Sequence, residues 1–186
     1  MSTKKDKKKK KKGNGEIDPE QILLRGRHLF LYGEITEERA EKIATHLYAL
    51  DQLNNNRILL MINSPGGEVA SGMAIIDAIK GISSNVVTIV TGEACSMAAL
   101  ISVVGSKRFM TKNSIWMIHP MHSTESDYAA FLKDRIKGLA LYDTVLDNIL
   151  REHTKLSKEE IEKAKRGEIW LTSDECKKKG VVDFIL

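Results

Sequence analysis

Polar and apolar residues alternate over "HLFLYGEI" (28–35), a period of two that predicts a strand ending at Gly33. Thr36 follows where a helix cap belongs, with Glu37 and Glu38 in the first turn. Ala40, Ile43, Leu47 and Leu50 fall on one stripe at helical spacing, so an amphipathic helix is predicted. The continuous apolar run from Ile58 to Ile62, bounded by the turn cluster "NNN", has the pattern of a strand buried on both faces. Ser64-Pro65-Gly66-Gly67 then turns the chain into a helix with Val69, Met73, Ile76 and Ile79 aligned. "NVVTIVTG" (85–92) is the next buried strand, and a helix follows from Cys95 to Val104. Two short strands, "RFMT" and "SIWMI", precede a long helical stretch from about Ser126 to His153, interrupted only by Gly138. "KLSKEEIEKAKRG" predicts a helix stopping at Gly167, Thr172 and Glu175 form a capping box for a helix ending at Gly180, and "VVDFIL" closes the chain as a strand. Strands alternate with helices throughout, which gives an α/β class with largely parallel strands and right-handed crossovers.

Composition changes this picture mainly at the N-terminus. With 186 residues and 42% hydrophobic residues the chain suits one sizeable core. The net charge of +4 is not spread over the fold: "MSTKKDKKKKKK" alone carries +7, and the remainder is about −3. Residues 1–16 are therefore expected to be a disordered lysine-rich tail and residues 17–186 the folded domain. The tail reads as a solvated extension, with contact to an acidic surface and a partner-docking arm as the alternatives; the charge distribution does not support specific nucleic-acid recognition. No apolar h-region follows the lysines, and no apolar run is long enough to span a bilayer. Cys95 and Cys176 form no disulfide framework, which fits a reducing, cytoplasmic setting, and the histidines and cysteines show no metal-ligand spacing.

Candidate chemistry gathers where strands hand over to helices. In "NSPGGE", adjacent glycines allow positive φ and close approach to a ligand, and a helix start leaves amide hydrogens unpaired; the Lys-Ser/Thr end of a phosphate loop is missing. Ser96, after "VVTIVTGEAC", lies at the C-terminal edge of a parallel sheet, where serine nucleophiles recur, although its flanks do not match the GxSxG elbow. His119 closes the strand "SIWMI" and is the candidate base, with His122 close enough to compete. Glu168, before the apolar "IWL", is the candidate acid, and Asp127 and Asp174 remain open by pattern. Cys95 reads as packing.

"INSPGGEVASGMAIIDAIK", "GEACSMAAL", "MIH" and "IWLTSDECKKKGVVD", in this order, resemble the proteolytic subunit of the Clp protease, from about Leu23 to the C-terminus. The resemblance implies a crotonase-like fold of stacked βαβ repeats with a projecting handle, here about 120–153. It implies Ser96 as nucleophile, His119 as general base, Glu168 as acid, and the Gly67 and Met97 amides as the oxyanion hole. It further implies a homo-oligomer of heptameric rings stacked in pairs, cleaving polypeptides inside a closed barrel. No metal or nucleotide would bind this chain, any ATP being used by a separate AAA+ unfoldase.

Several positions depart from the family. The acid is Glu rather than Asp; the Asp-Arg pair before it is Arg166-Gly167; "PMHSTESD" replaces a glycine-rich substrate strand; and Leu59 and Met61 replace tyrosines of the outer docking pocket. These features are similar to the divergent bacterial branch called translocation-enhancing proteins. Two alternatives stand beside the peptidase: a weakly active or non-catalytic ring subunit, and a crotonase-type acyl-CoA enzyme on the same fold.

Overall fold

The computed structural model describes residues 18–121 and 129–186. The lysine tail, His122 and Asp127 therefore lie outside the described residues.

The chain opens with α1 (Pro19–Arg25), an element that the sequence reading did not anticipate. Asp18 caps it by accepting from the amides of Glu20 and Gln21, and Pro19 occupies the first turn. β1 (His28–Tyr32), β2 (Ile58–Ser64) and β3 (Val86–Cys95) are parallel neighbours, joined by α2 (Glu37–Leu53) and α3 (Val69–Gly81). Thr36 caps α2 by accepting from the Arg39 amide, and the expected stripe of Ala40, Ile43, Leu47 and Leu50 is its buried face. The buried stripe of α3 is rotated from the expected one: Gly72, Ile75, Ile76 and Ile79 are buried, whereas Val69 and Met73 are only partly so.

β2 corrects one expectation. Its residues alternate between buried and half-buried, so Leu59 and Met61 are not enclosed. They pair with His28 and Phe30 of β1, and Phe30 and Tyr32 are 39% and 43% exposed. An unbroken apolar run here reports a partly open apolar sheet face rather than a strand covered on both sides.

β3 runs three residues beyond the predicted strand, because it serves two partners. Val87 to Val90 pair with β4 (Lys107–Met110), and Glu93 to Cys95 pair with β5 (Ile115–Ile118). The change of partner is made at Gly92, whose φ is 97°, opposite a register shift between Ile62 and Ser64 of β2. Gly92 donates its amide to Ser114 Oγ at 2.8 Å, which ties the bend to the start of β5. The following helix, α4 (Met97–Val103), begins after Ser96 rather than at Cys95, and all seven of its residues are buried.

α5 (Ala129–His153) is continuous through Gly138, contrary to the predicted interruption; 25 residues extend about 37 Å at 1.5 Å per residue. Ile149 and Leu150 near its end join the core, while Ile136, Leu141 and Val145 are exposed. α6 (Lys158–Ala164) stops before the predicted end at Gly167, and its start is a complete capping box of Ser157 and Glu160. β6 (Ile169–Thr172) runs antiparallel to β5, the exception to an otherwise parallel sheet. α7 (Ser173–Lys178) carries the expected Thr172–Glu175 capping box. β7 is shorter than expected, only Phe184–Ile185, and adds to β4. Arg108 fixes this end by donating to the Asp183 carboxylate and to the Gly180 and His153 carbonyls.

Candidate active site

The local conformation of Ser96 is unusual for a residue with a side chain. Its φ of 55° and ψ of −126° lie outside the regions favoured by L-residues, and Arg27 is the only other described non-glycine residue with positive φ. Serine at a helix start normally adopts extended backbone and accepts from the amide two or three residues on. Ser96 does neither: its side chain makes no capping bond, which leaves the hydroxyl uncommitted to the helix.

Three features hold this conformation. The Ser96 amide donates to the Met117 carbonyl at 2.8 Å, extending the β3–β5 ladder. Beneath it, α4 is packed on every side, with Trp116 buried against it and donating Nε1 to Ser102 Oγ at 3.2 Å. Above it sits the Pro65-Gly66-Gly67 turn. A Cβ on Gly66 would stand 2.6 Å from Ser96 Cβ and 2.7 Å from the Cys95 carbonyl oxygen, so this position admits only glycine. The turn itself is clamped to Ile35, whose amide donates to the Gly66 carbonyl at 2.7 Å and whose carbonyl accepts from Glu68 at 2.9 Å.

That parallel bridge uses the groups on either side of Gly67 and not the Gly67 amide. The Met97 amide, first in α4, has no partner within its own helix. Among the described residues neither amide has an acceptor, and both residues line a cavity of about 560 Å³. Ser96 and His119 line the same cavity. His119 arrives there because β5 is registered to β3 at Cys95–Met117, one residue before Ser96 and two before His119. The structure thus brings Ser96, His119, Gly67 and Met97 to one cavity.

Glu168 is not part of the cavity lining. It lies just ahead of β6, whose antiparallel ladder with β5 ends at Ile118–Ile169; Glu168 and His119 are the residues next beyond that end. Its carboxylate accepts from Trp170 Nε1 at 2.8 Å. Asp174 is directed elsewhere: both its oxygens accept from Lys112 Nζ, at 2.8 and 2.6 Å, and this pairing holds its carboxyl below the ordinary value.

Cys95 is chemically quiet. Burial, then the Glu93 carboxylate that accepts from its thiol, push its pKa up to about 12, with Glu168 adding to the effect. A thiol in that state is not a nucleophile near neutral pH.

The rest of the cavity was not legible from motifs. Val69, Leu100, Leu146, Leu150 and Ile161 give it an apolar wall, and Asp143 and Asp147 of α5 face it together with Lys165. Asp147 and Lys165 are joined at 2.5 Å, and this bond raises the lysine's pKa. Gly66 and Trp170 also escaped the sequence reading as separate contributors. The doubled glycine was a signal for the first, and the two-residue spacing from Glu168 was a signal for the second.

Among the described residues no helix is long and apolar enough to cross a membrane. The cavity at the C-terminal edge of this mostly parallel sheet thus gathers a strained serine, a histidine and two amides without acceptors among the described residues. The family model described as Clp protease, a family of serine peptidases whose members form oligomeric rings, matches residues 11–186. On that match over nearly the whole chain, the protein belongs to the Clp protease family.

Proposed function

We propose that this chain is a serine endopeptidase acting on unfolded polypeptides through Ser96, His119 and Glu168. Ser96 Oγ attacks the scissile carbonyl while His119 takes its proton, and the same imidazole returns that proton to the departing amine. The developing oxyanion is received by the Gly67 and Met97 amides, so the tetrahedral intermediate gains two hydrogen bonds. Water then repeats the sequence on the acyl-enzyme, with His119 again as base. Glu168 holds the imidazole in the tautomer that accepts from Ser96.

The observation carrying this reading is the serine hydroxyl withheld from its helix and held at positive φ on the wall of the cavity lined by His119. The apolar wall suits a large uncharged side chain next to the scissile bond. The exposed apolar residues along α5 suit the packing of one ring on another, which would enclose the serines. The half-open apolar face of Phe30, Leu59 and Met61 is the surface on which an AAA+ unfoldase would dock. Two buried, free cysteines fit a reducing cytoplasm.

The test is hydrolysis of an unstructured fluorogenic peptide by the full chain, with sedimentation of the same sample. The expected result is turnover by a large particle, with Glu168→Gln lowering kcat by roughly 10²–10⁴-fold while assembly is kept. A large particle without turnover would make the chain a non-catalytic ring subunit instead.

A further inference from the structure

Glu168 is exposed, and glutamate has one more rotatable bond than the aspartate that it replaces relative to the family. Such a side chain holds a histidine well only if something holds the carboxylate. Trp170 is placed to do so. It lies two residues further on, within β6, and its Nε1–H donates to Glu168 Oε2 at 2.8 Å. The indole is 54% exposed, so water is available to that N–H, and it is bonded to the carboxylate instead. A hydrogen bond to an ionised acceptor is the stronger kind.

The register supplies the other half of the argument. Met117 pairs with Trp170 and Ile118 with Ile169, where the ladder ends, and His119 and Glu168 are the next residues beyond that end on the two segments. Both residues thus leave the same end of the β5–β6 pair, with Glu168 Oε2 occupied by the indole and Oε1 still able to accept.

We propose that Trp170 is a positioning residue for catalysis. Its indole N–H anchors one oxygen of Glu168 so that the other orients His119. This rests on the reading of Ser96, His119 and Glu168 as a triad, and it goes beyond that reading by assigning a fourth side chain.

The chain has two tryptophans, and the other, Trp116, is buried with its indole on Ser102. Two indole N–H resonances are therefore expected from the full-length protein, and Trp170→Phe identifies which is which. Glu168→Gln should move the Trp170 resonance and leave that of Trp116 in place; an unmoved Trp170 resonance would overturn the proposal without reference to activity. Trp170→Phe keeps the ring and removes the donor. It should lower kcat about tenfold, the effect of one such hydrogen bond, with KM unchanged. In a Glu168→Asp background, where the shorter carboxylate falls short of the indole, Trp170→Phe should have no further effect.

An equal loss in both backgrounds would show a merely structural tryptophan. A gain in kcat would show that the indole holds the acid away from His119. Should Ser96→Ala leave turnover intact, the triad reading itself would fail, and that variant leaves the Trp170 contact untouched. If the wild type turns over no peptide, the rate of fluorophosphonate labelling takes the place of kcat, and absence of both turnover and label would overturn the two readings together.

Discussion

Ser157 and Ser96 each stand immediately before a seven-residue helix, and the chain uses them in opposite ways. Ser157 has extended backbone (φ −70°, ψ 161°). Its hydroxyl accepts from the Glu160 amide at 3.2 Å, while the Glu160 carboxylate accepts from the Ser157 amide at 2.9 Å. Ser96 has positive φ, and only its carbonyl serves the helix, accepting from the Ala99 and Leu100 amides at 3.0 and 3.4 Å; its hydroxyl makes no cap. Forgoing a cap costs about 1 kcal/mol, and a strained non-glycine residue costs about 1–3 kcal/mol more. The helix at Ser157 needs its cap because only two of its residues are buried. The helix at Ser96 is buried throughout, and Met97, Leu100, Ile101 and Val103 contribute roughly 1.5–3 kcal/mol each, so packing outweighs the strain. Where burial is large, the local rule can be broken and the hydroxyl left for chemistry.

The largest expected effect follows from removing that hydroxyl. Ser96→Ala should reduce peptide turnover by about 10⁴-fold or more, with sedimentation unchanged. Second is Gly66→Ala, which would set a Cβ 2.6 Å from Ser96 Cβ at a φ of 96°. It should lower stability by about 3 kcal/mol in urea denaturation and lower turnover with it, since relief comes only by moving the serine.

The sharpest use of the comparison is a pair of variants with opposite signs. Ser157→Ala should lower stability by about 1 kcal/mol and leave turnover unchanged. Ser96→Gly should raise stability by up to about 1 kcal/mol and abolish turnover, because glycine accepts the backbone that serine is forced into. Equal losses of stability from both would remove the claim of strain at Ser96.

A smaller effect separates the two helix starts by pH. The Lys179 ammonium, then the Ser157 amide, hold the Glu160 carboxyl below its ordinary value of 4.5. Its contribution to stability is therefore present above that value and is lost as pH falls through the lower folded one. Acid titration of Glu160→Gln should show a shallower loss of stability below about pH 4.5 than the wild type, whereas the uncapped start of α4 has no such carboxylate to titrate.

Much of this was legible in the chain. The stripe of α2, the Thr36 cap and the Thr172–Glu175 box are local patterns, and local patterns survive folding. The four ordered motifs were enough to bring out Ser96, His119 and the Gly67 turn as one constellation. What was hidden depends on partners distant in sequence. The exposure of Leu59 and Met61 is set by what covers the sheet, not by their own apolarity. β3 outruns its predicted end because β5 extends the ladder. Gly138 does not interrupt α5, since one glycine in a helix costs only about 1 kcal/mol. The positive φ of Ser96 had no marker in the sequence, because the glycine that permits it is Gly66, thirty residues away. α1 was missed although Asp18-Pro19-Glu20 is a helix-start signal in its own right.

The most direct test of the central claim is labelling of the full-length protein with a fluorophosphonate, followed by peptide mapping of the modified residue. A single adduct on Ser96, lost in Ser96→Ala and unaffected by prior treatment with a thiol reagent, is the predicted result. An adduct on any other residue, or none in a protein that still hydrolyses peptides, would contradict the assignment of Ser96 as nucleophile.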